Sequence, residues 1–191
     1  MNEFMDWPRT TPPRPETERI RMFENAQDPH ATSPSERIRR LLDEHHCPHR
    51  HLRHEPTPTS EDSARVRGEP LEVGGKALVL KVDASFIVLV LSAARKLDSK
   101  RLRTSLGARK VRFATREELL DRTGLVPGSV PPFGEPLFPL ALVVDQSVLD
   151  NERIAFNAGS LEESIIMSVE DWRRCAAPTR VVDATVEPEG S

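Results

Sequence analysis

Apolar residues are distributed unevenly along this chain. Residues 1–34 contain six prolines and many charges with only scattered apolar side chains, whereas residues 35–178 carry nearly all of the periodic apolar pattern. A segment with so little apolar surface cannot bury enough of it to offset the entropy lost on ordering. We therefore interpret residues 1–34 as a mobile, proline-rich extension. The pattern predicts one folded domain at 35–178, followed by a polar tail at 179–191.

The strongest β-strand signal is a pair of consecutive runs, Lys76–Asp83 and Ser85–Leu91, joined by a tight turn. The second run is apolar almost throughout, which predicts a central strand with both faces covered. Further strands are predicted at 49–54 (an edge strand), 110–113, 140–144, 153–157 and 164–168. Helices are predicted from Ser35 to Pro48, from a Ser60 cap through Val66, over 98–106, from a Thr115 cap through Arg122, and from a Ser168 cap through Cys175. This order indicates a single α/β domain of α+β type, with a mixed sheet flanked by helices.

Lys81 is a cation within an otherwise apolar strand. We assign Leu78, Leu80 and Val82 to one face and Lys76 and Lys81 to the other, unless a bulge intervenes. Removing an unpaired lysine from water costs free energy. Two interpretations of Lys81 stay open: an edge lysine whose ammonium reaches water, or a functional cation in a pocket.

Two loops are candidates to line such a pocket. The proline loop (residues 124–139) holds five prolines and three glycines, and is too rigid for a flexible linker. Its Gly128–Gly134 segment can present backbone N–H groups to a carbonyl or an oxyanion. The small residues 157–160 follow a strand and permit close approach of a ligand to the backbone. A stiff connection and a plain turn are the structural alternatives.

Five histidines cluster within ten residues around Cys47: His45, His46, His49, His51 and His54. Zinc accepts such ligands, but their spacing fits no standard site. We expect a solvated edge strand here and no bound metal. The only two cysteines, Cys47 and Cys175, make no disulfide framework and favour a reduced compartment.

The net charge of −3 gives the chain no global attraction for polyanions, so any such contact must come from a local patch. Basic residues cluster around Arg37–Arg53 and again around Lys100–Arg112, where they can contact phosphates or simply form solvated faces. No signal peptide is visible, and the run Phe86–Leu91 is too short to span a bilayer. We expect a cytoplasmic protein with no membrane partner.

Four segments between Ser35 and Ala177 together resemble the YbaK/EbsC family, the stand-alone relatives of the prolyl-tRNA synthetase editing domain. They are PTPTSEDSARVRG at 56–68, GGKALVLKVD at 74–83, and the stretches at 95–134 and 140–172. The resemblance implies a partial barrel flanked by helices and a trans-acting aminoacyl-tRNA deacylase. Such an enzyme hydrolyses the ester of a mischarged tRNA carrying Ala, Cys, Ser or Thr. The implied partners are the aminoacylated 3′ end of tRNA and prolyl-tRNA synthetase or another synthetase. The resemblance implies no cofactor, and we expect a monomer or weak homodimer.

The resemblance also assigns roles to individual positions. Lys81 matches the family's functional lysine, which would anchor and polarise the substrate end. Gly128 and Pro132 match the GxxxP loop that cradles the ester, and Gly134 extends it. The implied substrate-binding residues are Ser60, Phe133, Asn157, Ala158 and Gly159, with Phe133 narrowing the pocket.

In this scheme a ribose hydroxyl of the terminal adenosine helps to activate water, so that no protein base is needed. We expect a Lys81→Ala chain to fold and to lose most activity. The alternative is a non-catalytic aminoacyl-tRNA-binding, nucleic-acid-binding or regulatory protein with the same fold.

Overall fold

The computed structural model describes residues 33–135 and 137–188. The predicted extension at 1–34 lies outside the described residues except for its last two positions. The helices are α1 (Pro34–Glu44), α2 (Ser60–Arg67), α3 (Ser99–Leu106), α4 (Arg116–Thr123), α5 (Gln146–Leu149) and α6 (Val169–Ala176). The strands are β1 (His49–Arg53), β2 (Gly75–Val82), β3 (Ser85–Ser92), β4 (Lys96–Leu97), β5 (Val111–Phe113), β6 (Ala141–Asp145), β7 (Arg153–Asn157), β8 (Glu163–Ser168), β9 (Arg180–Val182) and β10 (Thr185–Val186).

The strands form a five-stranded sheet, a three-stranded sheet and a two-stranded pair. The five-stranded sheet has the order β5-β2-β3-β6-β9. Its β2 is antiparallel to β3 and β5, whereas β3, β6 and β9 are parallel. The second sheet, β1-β8-β7, is antiparallel, and β10 pairs with β4. A single bridge between Gly74 and Ala155 links the two larger sheets. The prediction of one mixed α+β domain is confirmed.

The middle strand of the five-stranded sheet, β3, is covered on both faces as predicted. Val88 and Val90 face a large apolar cluster that includes Trp172 and Phe156. The alternate residues of β3 face a second cluster that contains Leu102. Because successive side chains of a strand point to opposite faces, an unbroken apolar run is what two covered faces require.

The registers of β2 correct one sequence assignment. Each residue from Gly75 to Val82 pairs in turn with β3, so the strand contains no bulge. Lys76 therefore shares a face with Leu78, Leu80 and Val82, and Lys81 lies on the opposite face. The assignment of both lysines to one face is wrong.

Side-chain caps and glycines set most helix ends within about a residue of their predicted positions, but α1 ends at Glu44, four residues before the predicted end at Pro48. Ser33 caps α1 and Thr115 caps α4, each in a capping box with the glutamate three residues on. Thr59, rather than the predicted Ser60, caps α2. Gly68 ends α2 in the left-handed conformation, with φ of 66°. These contacts are local, which is why the sequence pattern could predict them.

The polar tail predicted after residue 178 is wrong for residues 180–186. There β9 extends the five-stranded sheet and β10 pairs with β4. Val182 and Ala184 are buried in the second apolar cluster. A segment this short gives no clear periodic signal of its own, because its burial depends on neighbours that are distant in sequence.

Cys47 and Cys175 are joined in a disulfide, contrary to the expectation of two reduced thiols. They are separated by 128 residues in sequence. Packing brings the end of α1 against α6, a proximity that cysteine spacing alone cannot reveal. No helix of the described residues is long and apolar enough to cross a membrane.

Candidate active site

A cavity of about 250 Å³ lies where α2, the start of β2, the proline loop and the end of β7 meet. We call it the Lys76 cavity. Its lining consists of Thr57–Ser60, Ser63 and Arg67 around α2, residues 74–78 and Ala93 from the β2–β3 hairpin, Gly128 and Val130 from the proline loop, and Asn157 from β7. No carboxylate and no histidine is among these residues. The lining is therefore cationic and rich in hydroxyl groups.

Three of the predicted site residues, Ser60, Gly128 and Asn157, line this cavity. The others do not. Phe133 is fully buried in the core, with its ring edge-to-face on Phe156 at a centroid distance of 5.6 Å. Ala158 is fully buried in the same cluster.

Three further predicted residues, Pro132, Gly134 and Gly159, have structural contacts away from the cavity lining. The carbonyl of Pro132 accepts a hydrogen bond from Trp172 Nε1 at 2.9 Å. A Cβ on Gly134 would overlap the carbonyl oxygen of Leu140. Gly159 donates its N–H to the Ser129 carbonyl at 3.0 Å and has a φ of +82°, which favours glycine.

Lys81 lies outside the Lys76 cavity. Its Nζ is 3.8 Å from Glu118 Oε1 and 5.2 Å from the ring centre of Phe86, and its side chain is 33% exposed. Arg112 holds the same Glu118 through two hydrogen bonds of 2.6 and 2.7 Å. Lys81 is five positions further along the strand than Lys76, which corresponds to about 16 Å. The expectation that Lys81 sits in the pocket is therefore corrected, since it belongs to an ion-pair network at the far end of β2.

Lys76 is the lysine that lines the cavity, and the sequence argument missed it. Its Nζ donates to the Arg95 carbonyl at 3.1 Å. Burial lowers the pKa of Lys76, an effect that the nearby charge of Glu61 partly opposes. The available signal was the preceding Gly74-Gly75 pair, because a Cβ on Gly75 would come within 2.6 Å of Ile154. That close approach brings the start of β2 against β7 and carries Lys76 to the cavity.

Arg67 is a second cation of the lining that the sequence argument missed. Only 7% of the residue is exposed. It donates to Ser164 Oγ at 2.9 Å, to the Ala155 carbonyl at 3.3 Å and to Asn157 Oδ1 at 2.6 Å. Burial lowers the pKa of Arg67 to about 10, so the guanidinium stays charged at neutral pH. A sequence pattern gives no sign of this, because Arg67, one of two arginines in α2, has the pattern of an ordinary solvated helix residue.

The proline loop is held against the end of β7 by two hydrogen bonds. Asn157 Nδ2 donates to the Gly128 carbonyl at 2.8 Å, and the Gly159 N–H donates to the Ser129 carbonyl. In a trans peptide the C=O and N–H groups point in opposite directions. The N–H of Val130 shares a peptide group with the Ser129 carbonyl and therefore points away from Gly159. Fixed backbone donors of this kind can stabilise the negative charge that develops on an ester carbonyl.

Hydroxyl groups form the wall of the cavity opposite the loop. Ser63 Oγ donates to Thr57 Oγ1 or to the Thr59 carbonyl, both at 2.9 Å. Thr57 Oγ1 donates in turn to the Leu161 carbonyl at 3.3 Å. Ser60 also lines the cavity at the start of α2. Such a wall offers hydrogen-bond partners to a small polar side chain.

Three of the five clustered histidines, His49, His51 and His54, make side-chain contacts within the protein. His51 Nε2 lies 2.7 Å from Glu163 Oε2, and His54 Nε2 lies 2.7 Å from Ser164 Oγ. Across the part of the chain that the structure describes, no three His, Cys, Asp or Glu side chains are arranged to hold a metal ion.

The sequence and the fold match a known class of protein. The family model of the aminoacyl-tRNA editing domain matches residues 54–175, more than half of the chain. The chain belongs to this family, and the resemblance to YbaK/EbsC proteins is confirmed.

Particular relatives sharpen the comparison. The multifunctional Ser/Thr-tRNA deacylase ProXp-y of Escherichia coli strain K12 is 33% identical over 152 residues, which cover 76% of this chain and 90% of the relative. The prolyl-tRNA editing protein ProX of Acetoanaerobium sticklandii is 26% identical over 129 residues, which cover 64% of this chain and 78% of the relative. A crystal structure provisionally described as a trans-editing enzyme for prolyl tRNA synthetase shares the fold, with a TM-score of 0.69 and 22% identity. That match covers 80% of this chain and 97% of the other.

Proposed function

We propose that this chain is a trans-acting deacylase that hydrolyses the ester bond of tRNA charged with a wrong small amino acid, and that Lys76 is its functional lysine. The observation that carries the proposal is the composition of the Lys76 cavity. Two cations, hydroxyl groups and fixed loop backbone surround the space, and none of its described lining residues is a carboxylate. A cationic pocket suits the phosphate and ester oxygens of an aminoacylated 3′ end.

The reaction needs water, a polarised carbonyl and a leaving ribose oxygen. The water oxygen bonds to the ester carbonyl carbon, the bond from that carbon to the ribose oxygen breaks, and a proton passes to the ribose oxygen. Loop N–H groups such as that of Val130 stabilise the developing negative charge. Among the residues that the structure describes, no histidine or carboxylate lines the cavity to act as a base. This lining supports assistance by the substrate's own ribose hydroxyl, with positioning supplying much of the acceleration.

For the amino acid we propose serine or threonine. The 33% identical relative is named as a Ser/Thr-tRNA deacylase. The hydroxyl wall of Thr57, Ser60 and Ser63 supports the same choice, because it can pair with a substrate hydroxyl. Alanine and cysteine are the competing substrates. Prolyl-tRNA synthetase or another synthetase is a proposed partner that would deliver or share the mischarged tRNA.

The test is a deacylation panel with tRNA charged separately with alanine, cysteine, serine and threonine. Wild type is compared with Lys76→Ala and with its matched control from the same strand, Lys81→Ala. We expect Lys76→Ala to lose about 100-fold in kcat/KM, because contacts of a charged donor are worth about 1.5–3 kcal/mol. Lys81→Ala should stay within about threefold, since a partly exposed ion pair contributes little.

Thermal unfolding of both variants shows whether the chains are folded. Full activity in Lys76→Ala together with loss in a folded Lys81→Ala would return the role to Lys81. Binding of charged tRNA without turnover by wild type would favour the non-catalytic alternative.

A further inference from the structure

The guanidinium of Arg67 is a buried cation that makes no hydrogen bond to a carboxylate. Its described hydrogen bonds go to the Ser164 hydroxyl, the Ala155 carbonyl and the Asn157 side chain. Desolvating a charge without a counter-charge costs free energy. At an ordinary core position, an apolar residue of similar volume would stabilise the fold more than a buried arginine does. The buried charge therefore indicates that Arg67 has a function beyond packing.

The hydrogen bond from Arg67 to Asn157 continues into the proline loop. Arg67 Nη2 donates to Asn157 Oδ1 at 2.6 Å. Asn157 Nδ2 donates to the Gly128 carbonyl at 2.8 Å. A guanidinium has only donors and an amide has one end of each kind. Arg67 therefore fixes which end of the Asn157 amide points at the loop, and it presents the N–H₂ group to Gly128.

The other bonds of Arg67 anchor the guanidinium itself. Its Nε donates to Ser164 Oγ in β8, and Nη1 donates to the Ala155 carbonyl in β7. Both strands belong to the three-stranded sheet. The planar guanidinium is thus held by rigid elements and can transmit their position to a loop that has no sheet pairing at Gly128.

We propose that Arg67 is a positioning residue for deacylation, which acts through Asn157 to orient the Gly128 carbonyl and, with it, the loop N–H donors of the Lys76 cavity. The predicted effect on the rate of deacylation rests on the proposed function. The orientation of the loop is a structural consequence that can be measured separately.

The kinetic test uses the full chain and tRNA charged with serine or threonine. Arg67→Met and Asn157→Ala should each lower kcat about 10- to 100-fold, and should change KM less than about threefold, because the lost effect lies in the transition state. If both act on the same loop, the double variant should fall within about threefold of the worse single variant. Multiplied effects in the double variant, or a rise in KM alone for Arg67→Met, would overturn the proposal.

The variant Asn157→Asp distinguishes a role of Asn157 in orienting the loop from a role in packing alone. The carboxylate keeps an acceptor for Arg67 and adds an ion pair, but it places an acceptor against the Gly128 carbonyl. We expect the melting temperature to be kept or raised while kcat falls at least about tenfold. Wild-type kcat in Asn157→Asp would show that Asn157 only accepts a hydrogen bond from Arg67. That result would contradict the proposal that Arg67 orients the loop through Asn157.

Backbone amide exchange gives a readout that needs no turnover. The Ser129 N–H donates to the Val126 carbonyl, and the Gly159 N–H donates to the Ser129 carbonyl. Both amides should exchange about tenfold faster in Arg67→Met and Asn157→Asp, while β3 amides stay unchanged. Unchanged amide exchange rates at Ser129 and Gly159 would refute the proposal that Arg67 orients the loop through Asn157. A wild-type chain that deacylates none of the four charged tRNAs would count against the proposed function alone.

Discussion

At the scale of single residues, the cavity holds two cations whose described hydrogen bonds go to neutral acceptors. Lys76 donates to a backbone carbonyl, and Arg67 donates to neutral acceptors. Burial lowers the pKa of both residues, which means that the folded protein binds these protons less tightly than free side chains do. A substrate phosphate or a developing oxyanion would supply the missing negative charge. Lys81 already has the carboxylate of Glu118 as a counter-charge, so it does not lack a negative partner.

Gly134 illustrates how a sequence-predicted catalytic glycine can be a packing glycine instead. It does not line the cavity, and an added Cβ would overlap the carbonyl oxygen of Leu140. We expect Gly134→Ala to lower the free energy of unfolding by about 1–3 kcal/mol, because backbone atoms cannot rotate away as a side chain can. Denaturant unfolding measures the loss. Unchanged stability with abolished deacylation would instead support a direct catalytic role for Gly134.

At the scale of elements, Glu118 ties the start of α4 to β5 and β2. Hydrogen bonds from Arg112, supported by the Thr115 backbone, lower the pKa of Glu118 from 4.5 to about 2. A carboxyl with a depressed folded pKa stabilises the fold above its unfolded pKa, and this stabilisation is lost as the pH falls from 4.5 towards 2.

We therefore expect Glu118→Gln to lower stability at pH 7 by roughly 1–2 kcal/mol after allowing for solvent screening, and to flatten the pH dependence of unfolding below pH 4.5. Unfolding in denaturant between pH 2.5 and 7 provides the measurement. The control is Glu170→Gln, at an exposed position in the first turn of α6. An equal pH profile for wild type and Glu118→Gln would contradict the argument.

Elements also show which parts of the molecule the sequence could predict. The Thr115 cap of α4, the Ser168 cap of α6 and the central position of β3 follow from residues within a few positions of each other, and the pattern predicted them. The choice between Lys76 and Lys81 could not be made this way. It depends on the bridge between Gly74 and Ala155, which joins two sheets across some eighty residues of sequence. A local pattern carries no information about which end of β2 meets that junction.

At the scale of the whole molecule, the C-terminal strands close the second apolar cluster around a buried carboxylate. Asp145 is 1% exposed. It accepts hydrogen bonds from the Ala184 N–H and the Thr185 hydroxyl, in addition to those from Ser147. The segment therefore satisfies a buried charge and covers apolar side chains at the same time, and a charge left buried without its donors is costly.

A chain ending at Pro178 should consequently be much less stable than one ending at Pro188, which keeps every described contact of the segment. Loss of two donors to Asp145 costs about 1–3 kcal/mol each, and exposure of Val182 and its apolar neighbours adds to that. For a domain of this size we expect a fall in melting temperature of about 10 °C or more. Thermal unfolding of the two truncated chains beside wild type measures it. Equal melting temperatures would show that residues 179–188 behave as a tail after all, and that Asp145 finds its donors elsewhere.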